Sequence, residues 1–339
     1  MWSNGLKWMF LILGTVIGAG YASGRELWEF FGAESGLAIF IFTILFIVCC
    51  YVIMRISMDQ QSEHFSPVLV KLVGPKLSKV YEIIILLYLF TTTIVMLAGG
   101  GAALQVFFIP YWVGIIIISS LLILLFVYGV NGMIAVNTWI IPIIVLVLGG
   151  ILIYSTDMSA ITASSLFEKQ NNWPSAFTFT ALNILPLVAV LSAVGNKVTC
   201  KKEIMIASLG SGLVLGIISF VYNETLLAVA TKIEFFEIPL FAIIQSYPYY
   251  MLFFMTLLLW VAIYTTAASG LLGLTTRLRS LFNLPLWVVC TIMLAVMIPF
   301  TTFGFSVLVS VLYPLFGLIN LYLLVAILLY PIANKYNWS

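Results

Sequence analysis

Charge is scarce in this sequence. Of 339 residues only 14 are lysine or arginine and 12 are aspartate or glutamate, 8% in all. Soluble domains carry about a quarter charged residues, so this chain cannot cover a water-facing surface, and the remainder must face lipid. Histidine is nearly missing. The single His64 lies in a polar run, which excludes a histidine metal site or catalytic triad by inventory. The four cysteines (Cys49, Cys50, Cys200, Cys290) show no paired spacing and sit in or beside apolar segments, so they read as free thiols rather than a disulfide framework or metal ligands. A net charge of +2 gives no reason to expect a nucleic-acid partner. No polar stretch is long enough to be a soluble domain. The longest, Met58–Lys79 and Ser155–Pro174, are loop-sized, so residues 1–339 form one transmembrane domain.

What the sequence has in abundance is apolar length. Hydrophobic residues make up 63% of it, and a helix needs about 20 apolar residues to cross the hydrocarbon core. Ten runs qualify: Leu6–Phe31, Gly36–Arg55, Leu77–Phe108, Tyr111–Val130, Met133–Tyr154, Ser175–Val194, Glu203–Tyr222, Tyr249–Thr276, Leu286–Phe300 and Phe305–Pro331. Ile109-Pro110, Asn131-Gly132 and Asn283-Leu284-Pro285 serve as turns between them. The first run shares with secretory signal peptides a lysine, a short apolar stretch and small residues. Its apolar character resumes at Leu27, Trp28, Phe30 and Phe31, however, and it is read as a retained span.

An even number of spans puts both termini on one side. With the termini cytoplasmic, that side holds Lys7, Arg55, Lys71, Lys76, Lys79, Lys197, Lys201, Lys202, Arg277, Arg279 and Lys335, while only Arg25, Lys169 and Lys232 lie outside. The positive-inside rule selects this orientation. The expected location is the cell membrane.

Ten spans divide into five and five, residues 6–154 and 175–331. An odd number per set makes the second set enter the membrane in the opposite sense, the topology of an inverted repeat, which in transporters places the binding site at the midplane. The first helix of each half is where interruptions are expected. Gly14, Gly18, Gly20 and Gly24 fall within eleven residues, a poor composition for a continuous helix. In the sixth span, Asn183-Ile184-Leu185-Pro186 puts a proline mid-helix, where it removes a donor and crowds the preceding turn. Each feature has a plainer explanation, in close helix packing for the glycines and an ordinary kink for Pro186. Their corresponding positions in the two halves favour broken helices at the midplane. Lipid cannot satisfy freed backbone groups, but an ion or a polar substrate can.

At these residues the chain resembles the amino acid–polyamine–organocation superfamily, which has the leucine-transporter fold. The string Gly14–Phe31, "GTVIGAGYASGRELWEFF", is most similar to the YkvI-like amino-acid permeases. In the eighth span, Ala262-x-x-Thr265-Thr266 resembles the family's sodium motif. The resemblance implies a sodium site made by the carbonyls of Gly14, Ile17 and Ala262 with the hydroxyls of Thr265 and Thr266. Hard cations take oxygen ligands of this kind. The alternative is that both threonines bond back to their own helix. Proton-coupled relatives often place a lysine from the fifth helix at this site, and Met133–Tyr154 has none. Tyr21 stands where some relatives have the asparagine of a second sodium site, so a second sodium is not expected.

The resemblance further implies a substrate carboxylate at the amides of Gly18, Ala19 and Gly20, because helix N-termini favour anions. Carbonyls around Ala181–Ile184 would hold its ammonium. Tyr21, Asn183, Thr266 and Ser269 are the candidate pocket side chains, with one of Thr91, Thr92 or Thr93 from the third helix. Arg25 and Glu26 are expected to be solvated vestibule charges. The implied function is sodium-coupled symport of a small zwitterion, an amino acid, by alternating access. The alternatives are a proton-coupled permease and a receptor of the spore-germinant kind on the same fold. No catalytic residues are expected, and no cofactor beyond the coupling ion. An enzyme would need a paired catalytic group inside the bilayer, and Glu82, the acidic candidate within a span, has no evident partner.

Overall fold

The structure is a computed structural model and describes residues 2–128, 142–144, 146–152, 154, 170–245, 247–282 and 284–333. All of its regular structure is helical among these residues. The first span is in three pieces, α1 (Trp2–Val16), α2 (Ala19–Ala22) and α3 (Arg25–Phe30). Next come α4 (Gly36–Asp59), α5 (Phe65–Gln105) and α6 (Tyr111–Tyr128). The second half contains α7 (Ser175–Ser192), α8 (Lys201–Ala228), the short α9 (Ala230–Ile233) and α10 (Pro239–Ile244), and α11 (Tyr249–Phe282). The chain then runs through α12 (Leu286–Met297), α13 (Phe305–Ile319) and α14 (Leu321–Ala333). Much of the fifth expected span, Met133–Tyr154, lies outside the described residues; 142–144 and 146–152 are helical.

Packing follows the small residues. On α5 and α6 the helices come so close at Gly101 and Gly114 that a Cβ on Gly114 would stand 2.8 Å from the Gly101 Cα, the close approach small residues permit between membrane helices. On α8, Gly212 and Gly216 receive Ile47 and Thr43 of α4. Phe179 of α7 packs its ring 4.8 Å from both Phe31 and Phe42, joining the first span to α4 and α7. Outward-facing positions such as Phe40, Ile116, Ile217 and Val311 are exposed and apolar, as a lipid-facing surface requires.

The loops report which helix ends share a side. Ser62, after α4, donates its hydroxyl to the Ser192 carbonyl at the end of α7 (2.8 Å), and the Asn196 amide returns to the Ser62 carbonyl (3.2 Å). At the other end Asn172 donates to the carbonyls of Phe30 and Phe31 (3.0 and 2.6 Å). The start of each half is therefore fastened to the other at both membrane faces, as the five-plus-five arrangement requires.

Two expectations need correction. The polar run Met58–Lys79 is not all loop: residues 65–73 are helical, and Gly74 (φ 81°) with Pro75 turns the chain into the span proper. The sixth span is not broken. Helix α7 runs unbroken from Ser175 to Ser192 with Pro186 inside it. A proline lacks only its own N–H, so what is released is the carbonyl four residues back, at Leu182. That single loss opens no gap in the helix.

Candidate functional site

Helix α1 ends where the glycines begin. The Gly18 amide donates to Val16 O (2.8 Å) instead of Gly14 O, so the Gly14 carbonyl loses its helical partner. Gly18 itself is extended (φ −85°, ψ −171°) before α2 restarts at Ala19. A second stop follows at Gly24, whose φ of +79° is a conformation glycine adopts without cost. A Cβ there would also stand 2.8 Å from the Tyr222 hydroxyl.

The short α2 is held by its neighbours. Tyr222 donates to Ala22 O (2.9 Å), and the Tyr21 hydroxyl pairs with Ser219 (2.8 Å) and reaches Leu215 O (3.2 Å). From α10, the Leu240 amide donates to Ser23 O (2.9 Å). Tyr21 is thus fully buried against α8 and is not among the pocket side chains; it anchors the broken segment.

The break opens onto a cavity of about 1380 Å³ between α1, α5, α7 and α11. That volume exceeds the roughly 300–1000 Å³ of closed ligand pockets, so it is a vestibule. Basic residues from the ends of four segments line it, Lys7, Lys79, Lys197 and Arg277, all assigned by charge to the cytoplasmic side. Gly14, Gly18, Ala19, Gly20, Asn183, Thr266 and Ser269 all line it too, and so does Thr92 among the three candidate threonines. Thr266 faces the break: its hydroxyl lies 3.6 Å from where a Gly18 Cβ would stand. Ile17, Ala181, Ile184, Ala262 and Thr265 are buried and do not line the cavity.

Around the expected sodium ligands, Thr265 and Thr266 both donate to Ala262 O (3.1 and 2.8 Å). A hydroxyl that donates still has lone pairs to offer a cation. The Ala262 carbonyl, by contrast, is already shared between two hydroxyls. The threonines therefore satisfy their own helix, while the Gly14 carbonyl beside the break has lost its helical partner.

Sequence reasoning missed Glu26. It is not a solvated vestibule charge: it is 7% exposed, and its carboxyl folds against Gly20, where a Cβ would overlap it. It lines the cavity, and it has no hydrogen bond or ion pair among the described residues. Arg25 cannot serve it, because Arg25 pairs with Glu29 at 2.6 Å, one turn along α3. The signal was present in the sequence as an acid within the first apolar run, which at membrane depth marks function by default. Glu82 also gains a partner: Ser66 donates to it at 3.0 Å.

No family model matches the chain. Among curated proteins it is 51% identical to the uncharacterized protein YyaD of Bacillus subtilis (strain 168), over 99% of this chain and all of YyaD. It is 26% identical to the uncharacterized membrane protein YkvI of the same organism, over 94% of each chain. Among solved structures it is similar to the inward-facing conformation of Mhp1 (TM-score 0.64, 14% identity), covering all of this chain and 78% of that one. A Na⁺-coupled sialic acid symporter in a substrate-bound outward-open state matches at TM-score 0.60 and 14% identity, covering 95% and 77%. A manganese transporter of Eremococcus coleocola also matches at 0.60, with 13% identity and coverage of 95% and 77%. These likenesses show the leucine-transporter fold, and the identity to YyaD along the whole chain shows the family: this is a multi-pass membrane protein of the YyaD family.

Proposed function

We propose that the protein is a sodium-coupled secondary transporter of a small zwitterion, an amino acid, that works by alternating access. The observation that carries this reading is the first-helix break, which opens onto a large cavity with Thr266 beside it. Backbone left unpaired at membrane depth is tolerated only where it lines a cavity or is buried in protein. A vestibule lined by basic residues at one end, with α10 closed over the broken segment at the other, is the arrangement of a carrier open to one side. The likeness to transporter structures, two of them named for a sodium ion or an inward-facing state, supports the same reading.

Sodium is assigned to the Gly14 and Ile17 carbonyls at the break with Ala262, Thr265 and Thr266. In this arrangement the ion completes its shell when the two hydroxyls and the Ala262 carbonyl turn toward it. Gly18, Ala19 and Gly20 supply the backbone surface for substrate, with Asn183, Thr266 and Ser269 around it. The test is uptake of labelled amino acids into proteoliposomes under an imposed sodium gradient or an imposed pH gradient. Thr265→Val and Thr266→Val each remove one oxygen at nearly constant shape, and each should need roughly tenfold more sodium for the same uptake, since a weakened ion site weakens its coupling to substrate equally. Uptake that follows pH and ignores sodium assigns the coupling to protons. Binding without counterflow identifies a receptor.

A further inference from the structure

Glu26 is the acidic side chain that lines the cavity beside the first-helix break. Its carboxyl is folded against Gly20, it is more than nine-tenths buried, and it has no hydrogen bond or ion pair among the described residues. The basic residues that line the same cavity, Lys7, Lys79, Lys197 and Arg277, belong to helix ends on one side, and Arg25 is committed to Glu29. Gly18, Ala19, Tyr88 and Tyr313 line the same cavity and carry no positive charge. An unpaired carboxylate removed from water is costly, and a cation of matching geometry relieves the cost. The continuity of α7 adds a second reason. Of the carbonyls expected to hold a substrate ammonium near Ala181–Ile184, only that of Leu182 is released by Pro186 while the helix stays unbroken, so an ammonium with up to three donors needs a further partner.

We propose that Glu26 is the counter-charge for an organic ammonium group on the ligand, and that the protein selects amine-bearing molecules through it. This rests on the reading of the cavity as a ligand site and names the ligand's charged end. A ligand with a carboxylate and no amine meets like charge at Glu26 and is rejected. A ligand with an amine and no carboxylate is accepted. Tyr88 and Tyr313 line the same cavity, and aromatic residues in such a lining suit an alkylammonium.

The experiment has two arms on the purified full-length protein. In the first, Cys200, the cysteine that is not fully buried, is replaced by Ser and a reporter is placed with Ser269→Cys, inside the cavity. Its reaction rates with a cationic and an anionic methanethiosulfonate reagent are compared. Glu26→Gln should lower the cation-to-anion rate ratio about fivefold, because a buried charge focuses the local field, and Glu26→Asp should retain it. An unchanged ratio in Glu26→Gln overturns the proposal without any ligand being known. In the second arm, thermal stabilisation is measured with the twenty amino acids, their decarboxylated amines and their 2-hydroxy acid counterparts, since a ligand that binds only the folded state raises its stability. Amines should stabilise the wild type and 2-hydroxy acids should not, with Glu26→Gln weakening amine binding at least about tenfold. Amines that bind when amino acids do not would sink the amino-acid reading and leave the ammonium site standing. Hydroxy acids that bind as well as amino acids would sink the ammonium site and leave the transporter reading. If no amine stabilises the wild type, or sodium alone does so through Glu26, the assignment of an organic ammonium is wrong.

Discussion

At Gly20 a single hydrogen atom decides whether the Glu26 carboxyl can occupy its place. A methyl group there overlaps the carboxyl, which is the far end of a flexible side chain and can move away. Gly20→Ala should therefore leave the protein folded and extractable while displacing Glu26 from the cavity wall. We expect ligand affinity to fall at least about tenfold, near 1.4 kcal/mol, with thermal stability in the absence of ligand nearly unchanged. Ligand-induced stabilisation, compared between wild type and variant, measures this; equal affinity in both would show that the glycine serves packing alone. The same residue scale explains Tyr21. Its place in the string Gly14–Phe31 suggested a pocket side chain, yet its hydroxyl is drawn to Ser219 and Leu215 of α8. Nothing within the first helix specifies that partner.

Elements show which glycines are conformational and which are spacers. Gly24 separates α2 from α3 with a positive φ and has Tyr222 directly against it. An L-residue held in this region costs about 1–3 kcal/mol, so Gly24→Ala should lower the melting temperature of the detergent-purified protein. Among the described residues nothing stands within 4 Å of a Cβ on Gly149, and Gly149→Ala should be neutral or slightly stabilising, because alanine is the better helix former. A scan in which both variants melt with the wild type would remove the strain argument. The unbroken α7 belongs at this scale too. Proline in a helix interior marks one missing hydrogen bond, and whether the helix opens there depends on the helices packed around it.

For the molecule as a whole, orientation is the main outcome to test. Gln61 and Thr199 are exposed in connections at the end joined through Ser62 and Ser192, and Glu234 is exposed in the connection beyond α8. Single cysteines at Gln61 and Thr199 should label from the cytoplasm and one at Glu234 from outside, in cells whose protein carries Cys200→Ser. Labelling of all three from one face would rule out the ten-span arrangement.

Hydropathy and glycine spacing were enough to read the membrane class, the spans among the described residues and the break at Gly18, because each is a local property of composition along one helix. Lipid demands about 20 apolar residues per span whatever surrounds it, and four closely spaced glycines weaken a helix in any context. The site needed the tertiary structure. Only packing shows that Thr266 meets Gly18, that Tyr21 turns away to α8, and that Pro186 leaves α7 whole. Glu26 is the clearest case. In the linear sequence it stands beside Arg25, a natural neighbour for a solvated charge pair. In the fold Arg25 turns to Glu29, and Glu26 is carried about 100° around the helix into the cavity, where the surrounding helices remove it from water and leave its charge for a ligand to answer.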